Sequence, residues 1–232
     1  MKKLIYIIIA LFLFSCSSSH KIHINNDDSA MINFDVTNKK SLIDTLNEWG
    51  AIQNNDSIID IDLLKNELEK NPNIKNVVIS SPLNNVYKGN FFVKSINNLF
   101  MDGEKEIPKE LQLFSLSKND GNKTLTMRIS LENYLYLKDT IPMLKEESID
   151  MLGPDANQDI TREEYLDMMS FSLGEEGPKD LISSNIKLEI SVDGSILSTN
   201  GGIIENNKAI FNIPLLDIIL LQKEIIYSIT YK

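Results

Sequence analysis

The sequence has few of the residues on which most enzymes and nucleic-acid-binding proteins depend. Its 232 residues include one cysteine, two histidines and one tryptophan. A single cysteine excludes a disulfide within the chain, so the fold must be held together by its hydrophobic core. Only two arginines occur, Arg128 and Arg162, and the formal net charge is −10. Because nucleic-acid phosphates bind to clustered basic residues, we do not expect a nucleic-acid partner.

The N-terminus carries a targeting pattern. Lys2 and Lys3 precede an apolar stretch at residues 4–14, which is too short to span a bilayer comfortably. The next residues, LFSC at 13–16, resemble a bacterial lipobox. The resemblance implies cleavage before Cys16, a diacylglycerol thioether on Cys16 and an acyl chain such as palmitate on the new amine. Several acyl chains together give stable membrane anchoring.

We therefore expect a lipoprotein of the bacterial cell envelope whose partner is the membrane, reached through this anchor. The residue after the cysteine is Ser17 rather than Asp, which favours the outer membrane in bacteria that have one. The alternative is an ordinary secretory signal or an uncleaved anchor with a chance cysteine. The predicted segments are a signal peptide at 1–15, an acylated cysteine with a polar tether at 16–29, and a globular domain at 30–232.

The tether prediction comes from residues 17–29, SSSHKIHINNDDS, which are small and polar without a sustained hydrophobic period. The alternative for part of this stretch is that Ile22 and Ile24 begin a strand. Both histidines, His20 and His23, lie in this stretch. If they belong to a tether, the domain cannot hold a Ser–His–Asp triad, a Cys–His dyad or a histidine zinc site. We expect a non-enzymatic protein, with carboxylate-based or lysine-based catalysis as the remaining alternative.

Residues 30–232 mix strand patterns with amphipathic helix patterns. This predicts an α+β fold, a mostly antiparallel sheet with helices packed on one face, in a single domain or in two closely packed lobes that divide near residues 140–160. The Asp120-Gly121 pair predicts a hairpin turn. Either Asp60 or Asp62 is predicted to cap the start of the helix at 61–70. Strands are predicted at 30–36, 74–80, 90–97, 111–117, 124–131, 186–192, 208–213 and 224–231, and helices at 39–49, 61–70 and 162–172.

The segment from Lys145 to Asp180 holds eleven acidic residues against three basic ones. Such a segment most simply forms a solvated face that keeps the domain soluble. A second interpretation is a calcium site, because Asp155, Asn157 and Asp159 have the spacing of the first three ligands of an EF-hand loop. The later loop positions lack the glycine and the bidentate glutamate of that motif. The same segment also fits a capping box between Thr161 and Glu164, which requires no metal.

Two further sequence patterns could carry chemistry. The carboxylate pairs Glu163/Asp167 and Glu104/Glu106 could serve acid–base work in a hydrolase, although such pairs are common in an acidic chain. The apolar run at 213–221, interrupted by Asp217, either lines a lipid pocket or forms a short buried helix with Pro214 in its first turn; we favour the buried helix. No ligand-binding residues follow from these patterns.

The C-terminal β region at 186–213, IKLEISVDGSILSTNGGIIENNKAIFNI, resembles LppM-type bacterial lipoproteins. This resemblance implies a membrane-anchored, non-catalytic domain that handles lipid or glycolipid, and it brings no catalytic residues. The leading hypothesis is therefore an envelope lipoprotein that binds an apolar ligand or a protein partner. A calcium-dependent structural module and a carboxylate-based hydrolase are the alternatives, and no cofactor is expected apart from Ca²⁺ in the first of these.

Overall fold

Thirteen strands and six α-helices are formed by the residues that the structure describes. It is a computed structural model that describes residues 17–48, 60–102, 105–140 and 153–232. The strands are β1 Ser17–Ile24, β2 Ala30–Thr37, β3 Ile74–Leu83, β4 Val86–Val93, β5 Met101–Asp102, β6 Lys105–Glu106, β7 Phe114–Asn119, β8 Asn122–Ile129, β9 Asn185–Val192, β10 Ile196–Asn200, β11 Ile203–Glu205, β12 Lys208–Pro214 and β13 Ile225–Tyr231. The helices are α1 Lys40–Glu48, α2 Ile61–Glu69, α3 Leu131–Thr140, α4 Arg162–Leu173, α5 Gly177–Ser183 and α6 Leu215–Leu220. Within the described ranges, no helix is both long and apolar enough to cross a bilayer.

Two main sheets pack together around one core. The larger has seven strands in the order β11-β12-β9-β1-β2-β4-β3, and the smaller has four in the order β10-β13-β8-β7. Side chains from both sheets form one hydrophobic cluster, which Leu64 and Leu68 of α2 join. Apart from the parallel β1–β9 pair, the described neighbours in both sheets are antiparallel. These features confirm the predicted α+β class and the mostly antiparallel pairing in a single domain.

The tether prediction is wrong for residues 17–24, because they form β1 in the interior of the larger sheet. Strand β1 pairs with β2 on one side and with β9 on the other over all eight residues. Ser18, His20, Ile22 and Ile24 alternate as buried residues, which is the period of a strand with one face on the core. Serine and histidine at two of these inward positions hid that period in the sequence. The rest of the predicted tether is the turn into β2, where the N–H of Asn25 donates to the carbonyl of Ser29 at 2.8 Å.

Local turn and cap signals are confirmed. Asp120 and Gly121 both have positive φ, 48° and 79°, and join β7 to β8 in a two-residue hairpin. The carboxylate of Asp60 caps α2 by accepting from the backbone N–H groups of Asp62 and Leu63. The suggested lobe boundary near 140–160 falls largely on residues 141–152, outside the described residues.

Candidate functional site

One end of the seven-stranded sheet is defined by the first residue of β1, and we call it the proximal end. Ser17 pairs with Thr37 at the end of β2 and with Asn185 at the start of β9. Across the sheet the same row continues to Pro214 at the end of β12 and to Val86 at the start of β4. The chain therefore enters the fold at the middle of this end.

Helices cover the proximal end because three of them are joined directly to the strand ends there. Helix α1 follows β2, α5 precedes β9, and α6 follows β12, while α4 packs against α1 and α5. These four helices form what we call the helical cap. The cap has its own small core, in which Tyr165 and Met169 of α4 contact Leu216 and Leu220 of α6. Asp180 of α5 joins α1 by accepting from the hydroxyl of Ser41 at 2.6 Å.

The side of the seven-stranded sheet that faces away from the core is polar, and we call it the open face. Strands β1, β4, β9 and β12 each place one exposed lysine on this face. These lysines are Lys21, Lys88, Lys187 and Lys208. Lys88 pairs with Asp35 at 2.8 Å and Lys208 with Glu189 at 2.7 Å. A hydrogen bond from Lys208 and the nearby charges of Lys208, Lys21 and Lys187 lower the pKa of Glu189. This part of an acidic protein therefore carries an excess of positive charge.

An open groove of about 550 Å³ lies on this face. Gly89 is part of its lining, and a Cβ at this position would lie 2.5 Å from both Cζ of the buried Phe34 ring and the carbonyl oxygen of Val78. Two shifts of register in β3 bend that strand beside the groove. The polar residues that line the groove are Ser19, Lys21, Asn33, Asp35, Ser80, Lys88 and Asn90. Such a lining suits a polar ligand or a protein surface more than an apolar ligand.

The open face also holds a Ser–His–Asp chain of hydrogen bonds. His23 Nε2 lies 3.0 Å from Asp193 Oδ1, and His23 Nδ1 lies 2.9 Å from Ser191 Oγ. Because an ionised carboxylate only accepts, Asp193 places the ring proton on Nε2, which leaves the Nδ1 lone pair free to accept from the Ser191 hydroxyl at 2.9 Å. The carbonyl of Ile22, at 3.4 Å, is the other acceptor within reach of that hydroxyl. The N–H of Asn26 donates to the second oxygen of Asp193 at 3.1 Å. The expectation that no such triad occurs in the domain is therefore wrong, because β1 brings His23 into the sheet.

His20 lies on the opposite side of β1 and is buried in the core. Its side chain is 2% exposed, and its register partners are Phe34 and Leu188. Burial lowers the pKa of His20 to about 3, because the charged imidazolium would lose its water. His20 is therefore neutral at physiological pH and serves the packing of the core.

The three predicted calcium ligands lie in different surroundings. The Asp155 carboxylate pairs with Lys138 at 2.5 Å, Asn157 is 1% exposed and donates its amide to the carbonyl of Gly153 at 2.7 Å, and Asp159 is exposed. Over the described ranges, no group of three or more His, Cys, Asp and Glu side chains is placed to hold a metal ion. Calcium binding by these residues stays a prediction.

The alternative explanation of the same segment, a capping box, is confirmed. The Glu164 carboxylate accepts from the N–H of Thr161 at 2.9 Å, and the Thr161 side chain accepts from the N–H of Glu164. Thr161 donates to this carboxylate from its backbone N–H and also from its hydroxyl, at 2.7 Å, and these two hydrogen bonds, the backbone one first, lower the pKa of Glu164. Ile160 packs against the cluster that holds Tyr165, as a hydrophobic staple requires.

The other predicted sites are distributed as follows. Cys16 lies outside the described residues, as does Glu104 of one carboxylate pair. Glu163 and Asp167 are both exposed on α4. Asp217 is the exposed residue of α6, where it lies 3.6 Å from Arg162. The apolar residues on either side of it, Leu215, Leu216, Ile218 and Leu220, are buried, so the run contains a short core helix as favoured. Pro214 is not in its first turn, because it is the last residue of β12 and the N-cap of the helix.

No family model and no curated protein matches this sequence. Among solved structures, the chain is similar to the NMR structure of the folded domain of LppM from Mycobacterium tuberculosis. The match has 13% sequence identity and a TM-score of 0.43, and it covers 93% of this chain and 88% of that one.

Proposed function

We propose that the protein is a membrane-anchored lipoprotein of the cell envelope whose folded domain is a non-enzymatic binding module. The observation that carries the proposal is the start of the fold. Ser17, the first residue of β1, directly follows the lipobox cysteine. Since the residue after Cys16 already pairs with two strands, an acylated Cys16 holds the domain at the lipid surface without a spacer. Ser17 at this position supports the outer membrane where one exists.

The open face is the surface proposed for binding. Its lysines, asparagines and serines are presented from the middle of a sheet that is paired on both sides, which gives them fixed positions at little entropic cost. The polar groove between Lys21 and Lys88 favours a protein or another polar partner. A calcium-dependent structural role remains the alternative that addition of metal tests, since bound calcium raises thermal stability.

The anchor is tested by expressing the full chain in a bacterial host that processes lipoproteins. We expect the N-terminal peptide to begin at Cys16 with a diacylglyceryl group and an N-acyl chain, as measured by mass spectrometry. We expect the Cys16→Ser variant to lack both modifications and, in detergent phase partitioning, to be found in the aqueous phase instead of the detergent-rich phase. Ser15→Ala, which changes the neighbouring residue, serves as the matched control and is expected to be acylated. An unmodified N-terminal peptide in the wild-type chain would overturn the proposal.

A second candidate function, serine-based acyl hydrolysis, is favoured by one observation, the Ser191–His23–Asp193 chain. In such a reaction the Ser191 oxygen adds to an ester carbonyl while His23 Nδ1 takes the hydroxyl proton. His23 then gives that proton to the departing alcohol, and water releases the acid from the acyl-serine. His23 is 44% exposed and Ser191 is half-buried on the same open face, so an ester approaches the pair from the solvent side of the sheet.

A fluorophosphonate probe decides this second candidate. An activated Ser191 is expected to be phosphonylated, and both Ser191→Ala and His23→Gln are expected to abolish labelling. Ser19→Ala is the matched control, because Ser19 lies on the same face of neighbouring strand β1 without a histidine partner among the described hydrogen bonds. Absence of label on the wild-type protein, or equal labelling of Ser191→Ala, contradicts hydrolysis and leaves the binding role in place.

A further inference from the structure

The helical cap carries exposed apolar side chains at the end where the chain enters the fold. Phe171 on α4 is 94% exposed and Ile182 on α5 is 54% exposed. Met168, one turn before Phe171, is 43% exposed. Leu83, whose partner Val86 belongs to the row that defines the proximal end, is 63% exposed. A soluble domain gains nothing by leaving a phenylalanine almost wholly in water, so these residues indicate a surface that is covered in use.

The position of these side chains follows from chain topology. Helix α5 ends at Ser183 and leads through Ser184 into Asn185, the residue that pairs with Ser17. Ile182 is therefore three residues from the strand position beside Ser17. Phe171 belongs to α4, which packs on α5, and a Cβ on Gly177 at the start of α5 would lie 2.3 Å from Cβ of Leu173 at the end of α4. The C-terminal end of α4, which carries Phe171, is therefore in close contact with the N-terminal end of α5.

The far end of the same sheet has a different character. There the chain turns through Asn25–Ser29, Asp193-Gly194 and Asn206-Asn207, and Asp28 is bound by Lys118 at 2.5 Å and by Lys123 at 2.6 Å. These turns are polar and paired, as water-facing turns are. Exposed apolar side chains also occur elsewhere on the described surface, but the most exposed one, Phe171, lies on the cap, whereas the far end of the sheet consists of hydrated turns.

We propose that the helical cap rests on the bilayer that holds the acylated Cys16, with Phe171 and Ile182 inserted at the boundary between headgroups and acyl chains. This inference rests on the proposed anchoring. Consecutive Cα atoms are about 3.8 Å apart, so acyl chains on Cys16 hold the proximal end against the lipid surface, and the cap is the part of the fold at that end. Exposed acidic residues Glu163, Glu164 and Asp167 on α4 favour zwitterionic over anionic lipid.

The test uses the acylated protein, in which an introduced cysteine is the only free thiol because Cys16 is the only cysteine in the sequence. Phe171→Cys and Ile182→Cys are each labelled with the environment-sensitive dye NBD and reconstituted into phosphatidylcholine vesicles. Ile203→Cys is the matched control, since Ile203 is 53% exposed on β11, outside the cap. We expect a blue shift, brighter emission and quenching by spin-labelled lipid at positions 171 and 182, with water-like emission at 203.

Flotation of the vesicles separates this inference from the proposed anchoring. Protein that fails to float has no working anchor, which contradicts the proposed function. If the protein floats but the dyes at positions 171 and 182 keep the emission of a dye in water, the proposed insertion of the cap is wrong and the proposed anchoring stands. An equal blue shift at position 203 also overturns it, because the contact would then not be specific to the cap. Each dye-labelled variant is checked by circular dichroism, so that a misfolded variant is not counted.

Discussion

A chain that begins at Asn25 is expected to lose its cooperative fold, whereas one that begins at Ser17 is expected to keep it. The two differ by the eight residues of β1, which lie between β2 and β9 in the seven-stranded sheet. Removing them leaves two facing strand edges without partners and opens the core at Ile22 and Ile24. If residues 17–29 were a tether, both chains would unfold at the same temperature and with the same cooperativity.

The expected loss is large on the scale of a domain's stability. Truncating one buried Ile or Leu to Ala costs about 2–5 kcal/mol, and the whole stability of a small domain is about 5–15 kcal/mol. Ile22 is 6% exposed and Ile24 is fully buried. Losing both, together with the backbone hydrogen bonds to two strands, removes a large part of that total. Near-ultraviolet circular dichroism and urea titration are the measurements, and a sharp transition in the chain from Asn25 would show that β1 is dispensable.

Substitutions within β1 provide a matched pair that leaves the chain length unchanged. Ile22→Asn with Ile24→Asn places two polar groups in the core and is expected to abolish the transition. Ser19→Thr with Lys21→Thr changes two positions on the open face to a residue that suits strands, and it is expected to leave the midpoint almost unchanged. Equal loss of stability in both double variants would contradict the side-chain alternation assigned to β1.

Local signals in the sequence were sufficient where a few neighbouring residues decide the structure. The capping box of α4, the Asp60 cap of α2 and the hairpin at Asp120-Gly121 each depend on residues within four positions of one another. The apolar run at 213–221 was enough to predict a buried helix, because it contains a single charged residue among its apolar ones. In each case the physical cause, a capped N–H group or a turn with positive φ, is contained in the segment itself.

The candidate surfaces could not be predicted, because residues far apart in sequence form them. His23 and Ser191 meet only through the parallel pairing of β1 with β9, and no local pattern specifies that neighbour. The helical cap likewise exists because α1, α5 and α6 are attached to strand ends that lie in one row. The error over β1 had a local cause. Ser18 and His20 are polar residues at inward positions, so hydropathy alone gave the strand the appearance of a linker.

His20 is expected to make the protein unusually sensitive to mild acid. Its folded-state pKa of about 3 is lower than the value of 6.5 for an exposed histidine. Between these pH values the unfolded chain binds a proton that the folded chain does not, so the free energy of unfolding falls as the pH decreases. The slope approaches about 1.4 kcal/mol per pH unit, which makes this contribution about 2 kcal/mol less favourable at pH 5 than at pH 7.

A substitution at the next inward position of β1, which carries no titratable group, supplies the control for that slope. His20→Leu replaces the titrating ring by an apolar side chain between Phe34 and Leu188, and it is expected to flatten the decrease in unfolding free energy between pH 6.5 and pH 5. Ile22→Val removes one buried methylene-sized group at the next inward position and introduces no titratable group, so it is expected to keep the wild-type slope. Urea titrations at several pH values measure the slope separately from the absolute stability, so a loss of packing in either variant does not obscure it. If His20→Leu kept the full acid sensitivity, the proton taken up on unfolding would have to belong to another group, and His20 would not be the neutral core residue that its burial indicates.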